Sequence, residues 1–195
     1  MPSDAFSKYS GLALIIAGLA YSLDTVVEAV APGASPGLGV IVPPLSLVGF
    51  PAFWMSLRKP AQSHFANVVF VLGMLGIAGL APVTFINNRI LPEMPQESVM
   101  ALLASIRPEL IVIGVVFLLS ALLLFALAWR SDRLTRIGAG LYALGAIPVA
   151  LPPLMPPILV EVGGLLVASA MLLWGCRLVT AGTAGIGAST QASRA

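Results

Sequence analysis

Residues 9–31 read YSGLALIIAGLAYSLDTVVEAVA, with two acids and no base. At about 1.5 Å per helical residue the stretch is long enough to cross a ~30 Å hydrocarbon core. At about 100° per residue, Ala13, Ala17, Ala20, Asp24, Glu28 and Ala31 fall on one narrow stripe. Leu12, Ile15, Ile16, Leu19, Leu23, Val26, Val27 and Val30 fall on the other side. In lipid, large aliphatic residues face acyl chains, and alanines let neighbouring helices close up. The two acids therefore point into a protein interior. Helical periodicity runs past Asp24 to Val30, and no small-x-small site follows the apolar run Gly11–Leu23. This predicts a retained first span, not a cleaved leader.

The rest of the chain has the same character. Charged residues make up 9% of the 195, hydrophobic residues 58%, and the mean hydropathy is +1.01. Soluble domains carry roughly 25% charged residues and use them to cover their surface. Eighteen such side chains, 10 basic and 8 acidic, cannot cover 20.1 kDa. Lipid is the expected solvent and the lipid bilayer the expected surrounding. Six segments qualify as spans: Tyr9–Ala31, Gly37–Leu57, Phe65–Asn87, Pro108–Trp129, Leu134–Leu151 and Pro157–Leu178. The predicted fold is an all-α integral membrane protein, a bundle of six transmembrane helices forming one domain over residues 1–179. The proline cluster LPPLMPP after the fifth span cannot continue a helix, and reads as a tight turn or a re-entrant dip. Residues 95–106, PQESVMALLASI, put Val99, Leu102, Leu103 and Ile106 on one face, which predicts a short interfacial helix. The small, polar residues 180–195 predict a disordered cytoplasmic tail.

Basic residues sort by side. Lys8, Arg58, Lys59, Arg130, Arg133, Arg136, Arg177 and Arg194 share one face of a six-span topology, and Arg89 and Arg107 the other. Lys and Arg are retained on the cytoplasmic side during insertion, so an 8-to-2 split places both termini inside. Short loops and the lack of a large soluble domain fit a bacterial cytoplasmic membrane. The pI near 9.0 accompanies a net charge of only +2 with no basic–aromatic cluster, which argues against nucleic acid. Odd spans are rich in Ala and Gly, and even spans end with Trp54, Trp129 or Trp174 followed by arginine. Three helical hairpins explain this pattern, and so do ordinary helix packing and interface anchoring.

Three acids lie within spans, where an ionisable group costs roughly 2.5–3.5 kcal/mol at mid-membrane. Asp24 falls about 7 Å below the outer edge of the core and Glu161 about 6 Å, with Glu28 near the boundary. Asn87, Asn88, Arg89 and Arg107 are polar partners or counter-charges expected at the same end. One reading is an outward-facing proton- or cation-binding site, because close carboxylates in a poorly hydrated pocket have raised pKa values. The other is a set of interhelical bonds that fix packing.

Enzyme chemistry finds little here. His64 is the sole histidine, and Cys176 the sole cysteine. There is no HExxH, GxGD or Walker-type loop, and no lysine within a span. No catalytic residue, cofactor or metal is expected. The expected role is a non-enzymatic accessory, sensory or assembly protein, working with a membrane-protein partner or as a homo-oligomer. The alternative is a small proton- or cation-coupled transporter or channel using the outer carboxylates.

Overall fold

The computed structural model describes residues 4–31, 33–34, 36–57 and 63–192. These form seven α-helices and no strand: α1 Asp4–Val30, α2 Val42–Leu57, α3 Ser63–Phe85, α4 Gln96–Ser105, α5 Arg107–Ala128, α6 Arg133–Ala150 and α7 Pro157–Ala192. Five stretches are long and apolar enough to cross a membrane: Ala5–Val30, Leu38–Leu57, His64–Glu93, Arg107–Ala128 and Pro157–Ala181. The remaining long helix, α6, has Arg133 and Arg136 in its first turn and glycine or alanine at many later positions, which lowers its hydropathy.

The long helices form a closed ring. Each of α1, α2, α3, α5, α6 and α7 packs against its neighbours in sequence, and α7 returns to α1 in the most extensive contact of all. Adjacent helices run antiparallel. Gly11 meets Gly175, Gly18 meets Ala168, and Gly164 meets Tyr21 and Thr25 along the α1–α7 seam. Gly114 of α5 lies against Ala150 of α6, and Gly145 of α6 against Gly163 of α7. A Cβ on Gly175 would sit 2.7 Å from the Gly11 carbonyl oxygen, so only glycine permits this approach. Helices solvated by lipid associate through such van der Waals closeness, since burial from water no longer drives them together.

The α1 stripes separate as their spacing predicts. Ala13, Ala17, Ala20 and Asp24 are buried and Leu12, Ile16, Leu19, Leu23, Val26 and Val30 exposed, but Ile15, Val27 and Glu28 are half-buried and Ala31, at the end of the inward stripe, is exposed. Within the ring, Phe53 stacks on Trp174 with centroids 4.0 Å apart, and Tyr142 and Phe117 extend the cluster. Trp54 donates its indole N–H to the Ala66 carbonyl at 2.7 Å. Two tryptophans expected as interface anchors are thus core residues. Gly138 abuts the Trp174 indole and leaves space for its ring, and Trp54 packs on Phe70 with ring centroids 4.6 Å apart. Only Trp129 is exposed, at 57%.

Connections are short. Pro43 and Pro44 occupy the first turn of α2, where a missing N–H costs nothing. Pro152–Leu154 forms one 3-10 turn followed by extended Met155, so the proline cluster is a turn without a dip. α7 continues to Ala192, past Leu178 and through most of the segment expected to be a disordered tail; no proline interrupts it. α4 lies within the predicted 95–106 segment and touches little beyond α5. Arg58, Lys59 and Arg194 lie outside the described residues.

Candidate functional site

The acids gather at the ring end where α1 finishes and α2 begins. Gly37 adopts φ +68° and ψ 30°, a left-handed conformation that turns the chain into the 3-10 helix Leu38–Ile41. The first N–H groups of a helix have no partner within it. Here one side chain supplies two: the Asp24 carboxylate accepts from Leu38 N–H through Oδ1 at 3.0 Å and from Gly39 N–H through Oδ2 at 2.9 Å. The positive end of the helix also favours the carboxylate charge. Asp24 is 8% exposed.

Other polar groups close over this turn. A Cβ on Gly39 would lie 2.9 Å from Asp24 Oδ2 and 3.0 Å from Asn88 Nδ2, so Asp24 and Asn88 flank the same glycine. Asn88 donates to the Thr84 carbonyl at 2.8 Å, which fixes its amide. The Arg89 guanidinium lies over Gly37, with Cζ 3.4 Å from where a Cβ would stand. Both residues belong to a π-turn, Ile86–Ile90, that ends α3. Its wider winding redirects Asn88 and Arg89, and π-turns recur where a helix must re-aim side chains.

The remaining predicted residues sit apart from this knot. Glu28, partly buried, accepts from Gly33 N–H through both oxygens at 3.1 and 3.3 Å and closes the end of its own helix. Gly33 is at φ +80°. Glu161 is partly buried, and the α1–α7 register carries it to the level of Thr25 and Glu28. Asn87 is exposed, and so is Arg107 at the start of α5. No ion pair among the described residues joins Arg89 or Arg107 to the three acids. Nor does any group of three or more His, Cys, Asp or Glu among them come close enough to hold a metal ion. His64 and Cys176 are both exposed, far apart in sequence and on separate helices.

The opposite end holds a feature the spans alone do not reveal. Asp132 caps α6, accepting from Thr135 N–H at 3.1 Å and from the Thr135 hydroxyl at 2.8 Å. Its Oδ2 also pairs with Arg177 Nη2 at 2.6 Å, tying α7 to the α5–α6 turn. Partial burial raises the Asp132 pKa, but the Thr135 hydrogen bonds and the Arg177 charge outweigh it and hold the carboxyl below its ordinary value. An aspartate just before a helical run is a start signal, and Asp132 with Thr135 three residues on was there to be read.

No family model, curated protein or solved structure matches the chain. Its class comes from the fold alone: an all-helical bundle with five helices apolar enough to cross a membrane, which points to a membrane protein.

Proposed function

We propose that the chain is a six-span protein of a cytoplasmic membrane, with both ends inside, serving as a non-enzymatic accessory, sensory or assembly protein. Antiparallel packing supports the sixth crossing. Helices α5 and α7 run in the same direction, and α6 meets Trp174 at one end and Gly114 and Gly163 at the other. If α5 and α7 both cross, α6 must return the chain over the same depth. Its 18 residues span about 27 Å, close to the core thickness. Lys8, Arg130, Arg133, Arg136 and Arg177 gather at one end of the bundle, and Arg89 and Arg107 at the other, which favours the former as the cytoplasmic side.

The bonding of Asp24 carries the functional reading. Its two oxygens accept backbone N–H groups of the α1–α2 connection, as a structural acid would. Buried hydroxyls behave likewise: Ser10, Ser46 and Ser120 donate to the carbonyls of Val48, Val42 and Phe117, and Thr135 to Asp132. These groups serve their own helices or seams and do not form a file through the bundle, whose middle is filled by Phe53, Trp174, Tyr142 and Phe117. That favours packing over transport.

The transport reading retains one supporting observation, the shared level of Glu28 and Glu161 at the Asp24 end. Reconstituted vesicles separate the two. The accessory reading expects proton and sodium flux equal to that of protein-free vesicles, unchanged by Asp24→Asn or Glu161→Gln. Flux above background that either substitution abolishes establishes the transport reading instead.

A further inference from the structure

The α5–α6 turn carries Arg130 and the first turn of α6 carries Arg133 and Arg136, all exposed. The carboxylate among them, Asp132, is engaged by Arg177 and by the start of α6. Beside the turn, α5 opens a groove of about 550 Å³ lined by Phe125, Ala126, Trp129 and Arg130. Its wall is apolar and built: Phe125 and Trp129 meet edge to face at 5.3 Å, and Gly140 of α6 approaches the Phe125 ring. The Arg136 guanidinium lies over Trp129, 5.9 Å from the ring centroid. From there the exposed surface continues as aliphatic side chains, Leu122 on α5 and Ile137 and Leu144 on α6. Cationic guanidinium groups therefore stand at the head of an open apolar surface that continues along α5 and α6.

We propose that this seam binds an anionic phospholipid, with its phosphate held between Arg130 and Arg136 and an acyl chain laid along Ala126, Leu122 and Gly140. The charge pattern matches that amphiphile. Guanidinium groups recognise phosphate oxygens in paired hydrogen bonds, and clustered arginines at a membrane surface attract acidic headgroups. A soluble anion matches the arginines but leaves the groove unfilled, and a zwitterionic lipid fills the groove but brings no net charge. The Arg136–Trp129 contact orients the guanidinium before the lipid arrives. This inference goes beyond the proposed function and needs only that the bundle is embedded in lipid.

Native mass spectrometry of the full chain in detergent tests it, with phosphatidylglycerol and phosphatidylcholine of identical acyl chains as probes. Each arginine near a lipid surface contributes about fivefold in affinity, so phosphatidylglycerol is retained about tenfold or more over phosphatidylcholine. Arg130→Gln with Arg136→Gln removes that preference, while Arg107→Gln at the other end leaves it intact. Ala126→Leu fills the groove without touching a charge, and reduces retention of phosphatidylglycerol in a protein whose arginines remain. Equal retention of the two lipids, or a preference that survives the double substitution, overturns the proposal. So does displacement of phosphatidylglycerol by inorganic phosphate at equal concentration, which marks a headgroup site without the groove. The measurement is made in detergent, so its outcome is separate from which side of the membrane each turn faces.

Discussion

A carboxylate that accepts two backbone N–H groups holds each more strongly than a neutral acceptor does, at about 1.5–3 kcal/mol per bond. Asp24 does this for Leu38 and Gly39. Asparagine keeps one acceptor oxygen and turns an NH2 donor toward the other N–H, so Asp24→Asn should cost about 2 kcal/mol. A lower Tm in detergent with unchanged helix content by circular dichroism checks this. The inward direction of Asp24 was legible from its alanine stripe. Its partners were not, because they depend on the left-handed Gly37 placing residues 38 and 39 under α1. Asp132 gives a second test. Its folded pKa lies below its unfolded value, so its contribution is present at neutral pH and is lost as pH falls through about 4 and below. Asp132→Asn should flatten the acid limb of the stability curve there and leave the slope between about pH 6 and 8 unchanged.

Helix seams depend on which positions are glycine. At Gly175 a side chain meets the Gly11 backbone and Ile15, and neither can move without parting α1 from α7. Gly175→Leu should cost about 1–3 kcal/mol or more through overpacking. At Gly33 an added Cβ meets nothing within 4 Å, and the cost of Gly33→Ala is the left-handed backbone alone, about 1 kcal/mol. Thermal unfolding of the two variants side by side should give the larger loss for Gly175→Leu. The helices themselves were legible from hydropathy and helical spacing, with the ends of α1, α5 and α6 only a few residues from their expected bounds. Two features were not. The π-turn at Ile86–Ile90 has no sequence signature distinct from a helix end, yet it brings Asn88 and Arg89 onto the α2 turn. Trp54 and Trp174 look like interface anchors in a linear sequence, and only their contacts with Ala66 and Phe70 and with Phe53 and Tyr142 reveal them as core.

Across the whole molecule, ring closure through α1 and α7 brings the first and last long helices together and keeps the other four in chain order. A helix-by-helix reading of hydropathy finds five crossings; the antiparallel seams on both sides of α6 are the grounds for a sixth. α6 has a weaker apolar signal because it packs through glycine and alanine against α5 and α7. Such a helix relies on its neighbours for burial more than on its own hydrophobicity.

The most direct test of the proposed six-span topology is the side of the membrane on which the α6–α7 turn emerges. In a Cys176→Ala background, Leu154→Cys places a thiol at a position 75% exposed in that turn, and Ser131→Cys places one in the α5–α6 turn. With a membrane-impermeant maleimide, Leu154→Cys should label in intact cells and Ser131→Cys only after permeabilisation. Labelling of both positions only after permeabilisation would mean that α6 does not cross, contradicting the six-span topology.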